Sequence, residues 1–259
     1  MRRIALYFSG SGNSKTLAFD LCRALVCDHT YSLLEVEKEP SLLEGTQELV
    51  LVFPAYYFAP PVKVASFILS TLQESQLKLD LLQVVITHGG FPSYSGYITS
   101  RLLLESGYAA TSISYIQMVD TFAPLYKAPP LHKQTKIHSD ITSQLHSLIE
   151  NLKDQHFSFP PFRPLSRLVW NIYRKRVSSP SSHDHKLKVT DQCNGCGICA
   201  KVCPVENIVM VENKPSYQGA CTYCLACYHH CPQEAIRFTS KVHRSYSQYT
   251  PPKTFFPLR

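Results

Sequence analysis

Ile4-Ala5-Leu6-Tyr7-Phe8-Ser9-Gly10-Ser11-Gly12-Asn13-Ser14-Lys15-Thr16 changes character twice within one short stretch. Ile4 to Phe8 is a brief apolar run that Ser and Gly bring to an end, the pattern of a parallel strand buried on both faces. From Asn13 to Val26, residues Leu17, Leu21, Ala24 and Leu25 fall on one helical face. Strand, Gly/Ser loop and helix in this order aim backbone N–H groups and the positive end of a helix dipole at one point, which suits a phosphate. Three phosphate-binding readings compete with a plain Gly/Ser helix entry that holds no ligand. A Walker loop needs Gly immediately before Lys15-Thr16, and Ser14 stands there. A dinucleotide fingerprint starts well with Gly10 and Gly12 but has Lys15 in place of the third Gly; Glu35, at the expected end of the second strand, is placed like a ribose-binding acid. In the third reading Ser9, Gly10, Ser11, Gly12, Asn13 and Ser14 surround a terminal monophosphate with hydroxyls and N–H groups.

Outward from this loop the alternation continues. Tyr31 to Val36 reads as a second strand, Glu48 to Phe53 as a third, and Pro61 to Leu72 as a helix with Pro in its first turn. Leu82 to Thr87 reads as a fourth strand, Tyr97 to Ser106 as a helix closed by Gly107, and Thr111 to Met118 as a fifth strand. A long amphipathic helix from Lys133 to Lys153 completes the set. Such alternation predicts an α/β domain over residues 1–155, a doubly wound parallel five-stranded sheet in the order 2-1-3-4-5. Ligands of that architecture sit at the carboxyl ends of the strands. Here those ends carry Pro54-Ala55-Tyr56-Tyr57-Phe58 and Thr87-His88-Gly89-Gly90-Phe91. Tyr56 or Tyr57 offers an aromatic face to a flat amphipathic ring, and Gly89-Gly90 let backbone approach its edge.

The Ser9–Ser14 loop resembles the flavodoxin phosphate loop residue by residue. That resemblance implies FMN, with Ser9 to Ser14 on the phosphate and Pro54, Ala55, Tyr56, Tyr57, Thr87, His88, Gly89 and Gly90 around the ring. His88 is placed to hydrogen-bond the pyrimidine edge, although a solvated loop histidine accounts for it equally well. The sequence departs from flavodoxins around Phe58-Ala59, where a Gly is usual, and in lacking a Gly-Asp pair and acidic residues near the ring.

Residues 156–185 shift in composition. Phe159-Pro160-Pro161-Phe162-Arg163-Pro164 reads as an extended connector. Leu165, Leu168, Val169, Ile172 and Tyr173 then recur at helical spacing among Arg167, Arg174, Lys175 and Arg176, before a Ser/Pro link at Ser178 to Ser182. The basic stretch from Arg163 to Lys188 offers a contact to anionic lipid or an acidic partner, but an amphipathic helix bridging two domains accounts for it without either and is preferred. Residues 241–259 have no strong pattern and are expected to lie on the surface as a tail.

Residues 186–240 hold eight of the ten cysteines. Cys193-x2-Cys196-x2-Cys199-x3-Cys203-Pro204 recurs 28 residues later (221 − 193) as Cys221-x2-Cys224-x2-Cys227-x3-Cys231-Pro232. In this spacing three close thiolates grip one cubane and the fourth reaches across to the other. Cys193, Cys196, Cys199 and Cys231 would hold one [4Fe–4S] cluster, and Cys203, Cys221, Cys224 and Cys227 the second. Zinc has no use for the third Cys and the Pro of each half, and a disulfide framework needs an oxidising compartment. The stretch resembles the dicluster ferredoxins, a small α+β domain, through both motifs, Tyr217, and the Glu206-Asn207-Ile208 and Glu234-Ala235-Ile236 that follow each Pro. His229 and His230 are then surface or neighbouring groups rather than ligands. Cys22 and Cys27 read as small buried residues without chemistry.

A chain of 259 residues with 44% hydrophobic and 17% charged residues is long enough for two ordinary globular domains. A net charge of +7 permits an acidic partner without requiring one, and no nucleic-acid motif is present. No apolar run reaches membrane-spanning length, and the run after Arg2-Arg3 is too short for a signal peptide. A reducing, anaerobic cytoplasm is the expected setting. Both halves together resemble the flavodoxin–ferredoxin fusion proteins of anaerobic bacteria and archaea, the ferrodoxin family. The resemblance implies an electron carrier between FMN, two [4Fe–4S] clusters and redox protein partners. Two other functions stand beside it: a flavin reductase with its own small substrate and an acid such as His88 or Tyr94, and a docking protein whose flavodoxin-like domain holds no flavin.

Overall fold

The computed structural model describes residues 1–57, 59–92, 94–125, 129–154, 164–178, 182–239 and 248–256. Its larger part is a five-stranded parallel sheet in the order β2-β1-β3-β4-β5, built from β1 (Arg2–Tyr7), β2 (His29–Ser32), β3 (Thr46–Pro54), β4 (Leu81–His88) and β5 (Ser112–Gln117). This is the predicted flavodoxin-like order. The central strands β3 and β4 are buried along almost their whole length because helices cover both faces. Alternate side chains split between two cores. Ile4, Leu6, Leu49, Leu51, Phe53, Val84 and Ile86 face one core, shared with α2 (Leu33–Lys38), α3 (Val62–Phe67) and α5 (Ser95–Glu105). Ala5, Val50, Val52 and Val85 face the other, shared with α1 (Asn13–Leu25) and α6 (Leu131–Lys153).

Two elements differ from expectation. The second strand ends at Ser32, where the sequence pattern ran it to Val36. Ser32 Oγ accepts from the Glu35 backbone N–H and Glu35 accepts from the Ser32 backbone N–H, a capping box that opens α2. Glu35 is thereby committed to a helix cap and does not stand as a ribose-binding acid. The helix expected from Pro61 begins at Val62 and runs on from α3 through a π-helical turn, Ile68–Leu72, into α4 (Gln73–Ser75).

The connector Phe159–Arg163, most of the Ser/Pro link and Phe58 fall outside the described residues. Between them α7 (Ser166–Ser178) packs on the first core, burying Trp170 and Tyr173. Tyr173 Oη donates to the Pro60 carbonyl at 2.8 Å, and Arg101 and Arg174 sit over the Trp170 ring. Burying two such aromatic rings is worth roughly 2–3 kcal/mol each.

The small domain contains α8 (Ile198–Lys201), α9 (Ala226–His229) and two two-stranded antiparallel sheets. One pairs β6 (Leu187–Val189) with β9 (Ile236–Phe238), and the other is a hairpin of β7 (Ile208–Val211) and β8 (Lys214–Tyr217). Glu212 and Asn213 both take positive φ, as a tight two-residue hairpin turn demands.

Residues 248–256 are a strap rather than a surface tail. Tyr249 and Phe255 are each 2% exposed, and Phe255 joins the α1/α6 core. Asp20, buried in α1, accepts from Thr254 Oγ1 and the Phe255 N–H, both at 2.7 Å. At the other end Gln248 donates to the carbonyls of Tyr228 and Cys231, so the strap ties the small domain to the sheet. Among the described residues no helix is long and apolar enough to cross a membrane.

Candidate cofactor site

The carboxyl ends of β1, β3, β4 and β5 open into a cavity of about 420 Å³. Every predicted flavin-site residue except Gly12 lines it: Ser9, Gly10, Ser11, Asn13, Ser14, Pro54, Ala55, Tyr56, Tyr57, Thr87, His88, Gly89 and Gly90. Gly12 instead packs under the strap, where a Cβ on it would lie 2.8 Å from Pro251 Cγ. Tyr56 is packed edge-on against Phe8, whereas the Tyr57 ring is 44% exposed and meets Phe122 edge-on, with the Arg176 guanidinium 5.3 Å from its centroid. Tyr57 is thus the ring with a face to offer.

The loop hydroxyls already have partners. Ser9 Oγ accepts from the Gly12 N–H at 3.1 Å, Thr121 Oγ1 donates to Ser11 Oγ at 3.1 Å, and Ser14 Oγ bonds Thr87 Oγ1 at 2.8 Å. Asn13 donates to the Val119 carbonyl and accepts from Tyr249 Oη at 2.9 Å. His88 Nδ1 is buried without a hydrogen-bond partner among the described residues; burial lowers its pKa, against a smaller opposing effect of the Gly90 backbone.

Two parts of the wall were not legible in the sequence. The loop after β5 contributes Met118 to Phe122, including Asp120, an acid beside the ring site where acids looked sparse. Asp120 lies so close to Gly89 that a Cβ there would sit 2.5 Å from its Cγ. The predicted order put β5 beside β4, and its loop therefore belonged at the same crevice. The second part is Tyr223-Cys224-Leu225 from the small domain, for which local sequence holds no signal.

Gly10 shows how tightly the two domains meet. A Cβ on Gly10 would lie 2.2 Å from the Cys224 carbonyl oxygen and 2.6 Å from Tyr56 Oη. Only a residue without Cβ permits this approach. His229, buried two residues before Cys231, continues the contact. It pairs through Nε2 with the Thr121 carbonyl at 2.9 Å and accepts the Tyr249 N–H at Nδ1, which makes Nε2–H the donor. Burial lowers its pKa to about 4, so it is neutral. It is a structural bridge between domains, where the sequence suggested a surface or neighbouring group.

The eight array cysteines fall into two quartets. Cys193, Cys196, Cys199 and Cys231 line one small cavity. Burial raises the Cys199 thiol pKa, and the charges of Cys193, Cys196 and Cys231 raise it further. Burial pushes Cys221 up to about 11 and Cys224 up to about 12, with Cys203 adding repulsion to both; Cys227 is raised well up by burial and then by Cys224, Cys221 and Cys203. Four thiolates brought this close together need a cationic core to hold them ionised, which an iron–sulfur cluster supplies. The quartets also have the polar surroundings of cluster ligands. Asn207 N–H donates to Cys203 Sγ and Ala235 N–H to Cys231 Sγ, each at 3.3 Å, equivalent positions in the two repeats. Two buried hydroxyls stand beside the second quartet, Tyr217 Oη against the Cys227 thiol and Thr222 Oγ1 against the Cys224 thiol, and neither has a partner other than sulfur among the described residues. No group of three or more His, Cys, Asp or Glu side chains among the described residues closes around a single ion.

A doubly wound sheet in flavodoxin order joined to a domain with two thiol quartets defines an iron–sulfur redox protein on a flavodoxin-like scaffold. Residues 192–236 match the family model of the 4Fe-4S dicluster domain, so the chain joins a sheet of flavodoxin-like order to a 4Fe-4S dicluster domain. No curated protein matches by sequence. Among solved structures, a flavodoxin from the domain Archaea is 17% identical, with 46% of this chain and 87% of that chain covered at a TM-score of 0.38. The Trp repressor binding protein from Bacillus subtilis is 14% identical (45% and 83% covered, TM-score 0.34). An FMN-dependent NADH-azoreductase from Bacillus anthracis is 10% identical (57% and 100% covered, TM-score 0.32). The fold assignment rests on the strand order and not on these scores.

Proposed function

We propose that this chain relays electrons between FMN held in the 420 Å³ cavity, two [4Fe–4S] clusters, and external redox proteins. One observation carries the reading: Cys224, a thiol of the second quartet, lines the same cavity as the Ser9–Ser14 loop. FMN supplies two-electron chemistry and each cluster one-electron steps, so a chain holding both converts between the two kinds of carrier. Ser9, Ser11 and Ser14, with the backbone N–H groups that open α1, would hold the terminal phosphate. The Tyr57 ring covers one face of the cavity, Gly89 and Gly90 give backbone access to its edge, and Asp120 adds a negative charge there. Cys193, Cys196, Cys199 and Cys231 would ligate one cluster and Cys203, Cys221, Cys224 and Cys227 the other. Tyr223 and Leu225 exclude water from the junction between the cavity and Cys224.

Two other readings each have one observation in their favour. The unpartnered His88 Nδ1 in the cavity wall favours a reductase that protonates its own small substrate. The internal partners of Ser9, Ser11 and Ser14 favour a docking protein without flavin. Anaerobic purification with reconstitution, followed by iron, sulfide and flavin counts per chain, separates them. The relay requires about eight irons and one FMN. Eight irons with no flavin, even after FMN is offered, leaves the docking protein. Turnover of a small substrate by the reduced chain without any protein partner favours the reductase.

A further inference from the structure

Helix α7 is amphipathic twice over. Its inner face is already buried through Trp170 and Tyr173, yet its outer face carries a second apolar stripe. Leu168 and Ile172 on α7 are 53% and 60% exposed, one turn apart, and Leu165, 65% exposed, precedes the helix with a left-handed φ of 69°. Single exposed leucines are ordinary, but an exposed pair one turn apart, with a third just before the helix, is not on an element that has already satisfied its core contact.

The charge of this segment of the chain has one sign. From Gln155 to His183 the sequence contains no Asp or Glu, while Arg163, Arg167, Arg174, Lys175 and Arg176 are all basic. Arg174 is committed to Glu105 and the Trp170 ring, and Arg176 to the Tyr57 ring. Arg167 and Lys175, both exposed, make no ion pair among the described residues, and by helical spacing they flank the stripe on its polar side. Exposed aliphatic side chains on a helix with unpaired cations beside them match the boundary of an anionic bilayer. There the aliphatic groups enter the acyl region and the long basic side chains reach back to the headgroups.

We infer that the outer face of α7, through Leu168, Ile172, Arg167 and Lys175, together with Leu165 just before the helix, docks the chain on an anionic lipid surface. The occupant is a lipid headgroup layer and not an acidic protein, because the unpaired cations Arg167 and Lys175 come together with exposed aliphatic side chains on one helix. This inference stands apart from the flavin assignment and survives its failure.

The test uses the full reconstituted chain, sedimented with vesicles of phosphatidylcholine alone and of an equimolar phosphatidylcholine–phosphatidylglycerol mixture. Binding is expected to the mixture only, weakening as salt rises. Arg167→Ala and Lys175→Ala should each lower the affinity about fivefold. Leu168→Glu combined with Ile172→Glu should abolish it, with iron per chain unchanged. Emission from Trp170, the single tryptophan, reports whether α7 remains docked. Should the double variant undock α7, the two exposed Ala variants carry the test. Binding equal to both vesicle types, or to neither, overturns the inference. So does a dimer in solution that Leu168→Glu converts to monomer while vesicles are ignored, because the stripe would then be an interface between copies of this chain.

Discussion

Replacing Gly10 by Ala tests the contact on which the two halves of the site depend. The added Cβ would lie 2.2 Å from the Cys224 carbonyl oxygen, 3.1 Å from its carbon and 2.6 Å from Tyr56 Oη. A comfortable carbon–oxygen contact is about 3.3 Å or more, so the two backbones must part by about 1 Å. Neither obstacle is the free end of a flexible side chain. Tyr56 is packed against Phe8, and the Cys224 carbonyl is main chain. Overpacking of this kind costs about 1–3 kcal/mol, and rigid obstacles place it at the upper end. At about 2–4 °C per kcal/mol for a chain of this size, the melting temperature should fall by about 6–12 °C. Gly90→Ala is the control, with ordinary φ and nothing within 4 Å of its added Cβ. Its effect should stay within about 0.5 kcal/mol. Thermal unfolding of both reconstituted variants, followed by circular dichroism, reads the difference. If the two melt together, the loop and Cys224 are not in the contact described.

The remaining predictions are independent of that contact. Tyr217→Phe removes a hydroxyl beside Cys227, and hydrogen bonds to cluster sulfur favour the more negative reduced state; the second cluster's potential should therefore fall by about 40 mV, for one bond worth about 1 kcal/mol. A redox titration followed by electron paramagnetic resonance measures it, and an unmoved potential refutes the assignment. Asp20→Ala frees the Thr254 and Phe255 ends of the strap, at a cost of about 3 kcal/mol for two charge-assisted bonds. Limited proteolysis should then cut within residues 248–256, and a cleavage pattern matching the parent chain counts against the strap. Ser11→Ala with Ser14→Ala should weaken FMN and leave iron content intact; unchanged flavin occupancy would mean the phosphate site is misplaced. Chelating the iron should unfold the small domain and spare the sheet, because two-stranded sheets and four-residue helices cannot stand alone. Near-native protection of residues 187–238 after chelation, read by hydrogen exchange, would contradict this.

Much of the site was legible because its signals are local. The repeated cysteine spacing is the pattern in which three thiols three positions apart face one cubane and the fourth of each repeat reaches the other. Strand-loop-helix alternation fixes a parallel sheet, and parallel pairing places successive loops at one end. The second strand was misread because Leu33, Leu34 and Val36 suit a strand as well as a helix, and only the Ser32/Glu35 capping box breaks the tie. That box was visible in the sequence.

By itself, then, the sequence determined the strand order, the cysteine repeat and the loops after β1, β3 and β4 that meet at the crevice. Each follows from short-range spacing or from the period of apolar residues. Tertiary structure alone decided that Cys224 and Tyr223 close the crevice, that Tyr249 and His229 tie the small domain to the loop at Asn13 and Thr121, and that α7 keeps a second apolar face in solvent. Those contacts join residues more than 100 positions apart, and no local pattern encodes them: Gly10 meets Cys224 because the packing of whole domains brings two backbones together where one lacks a side chain.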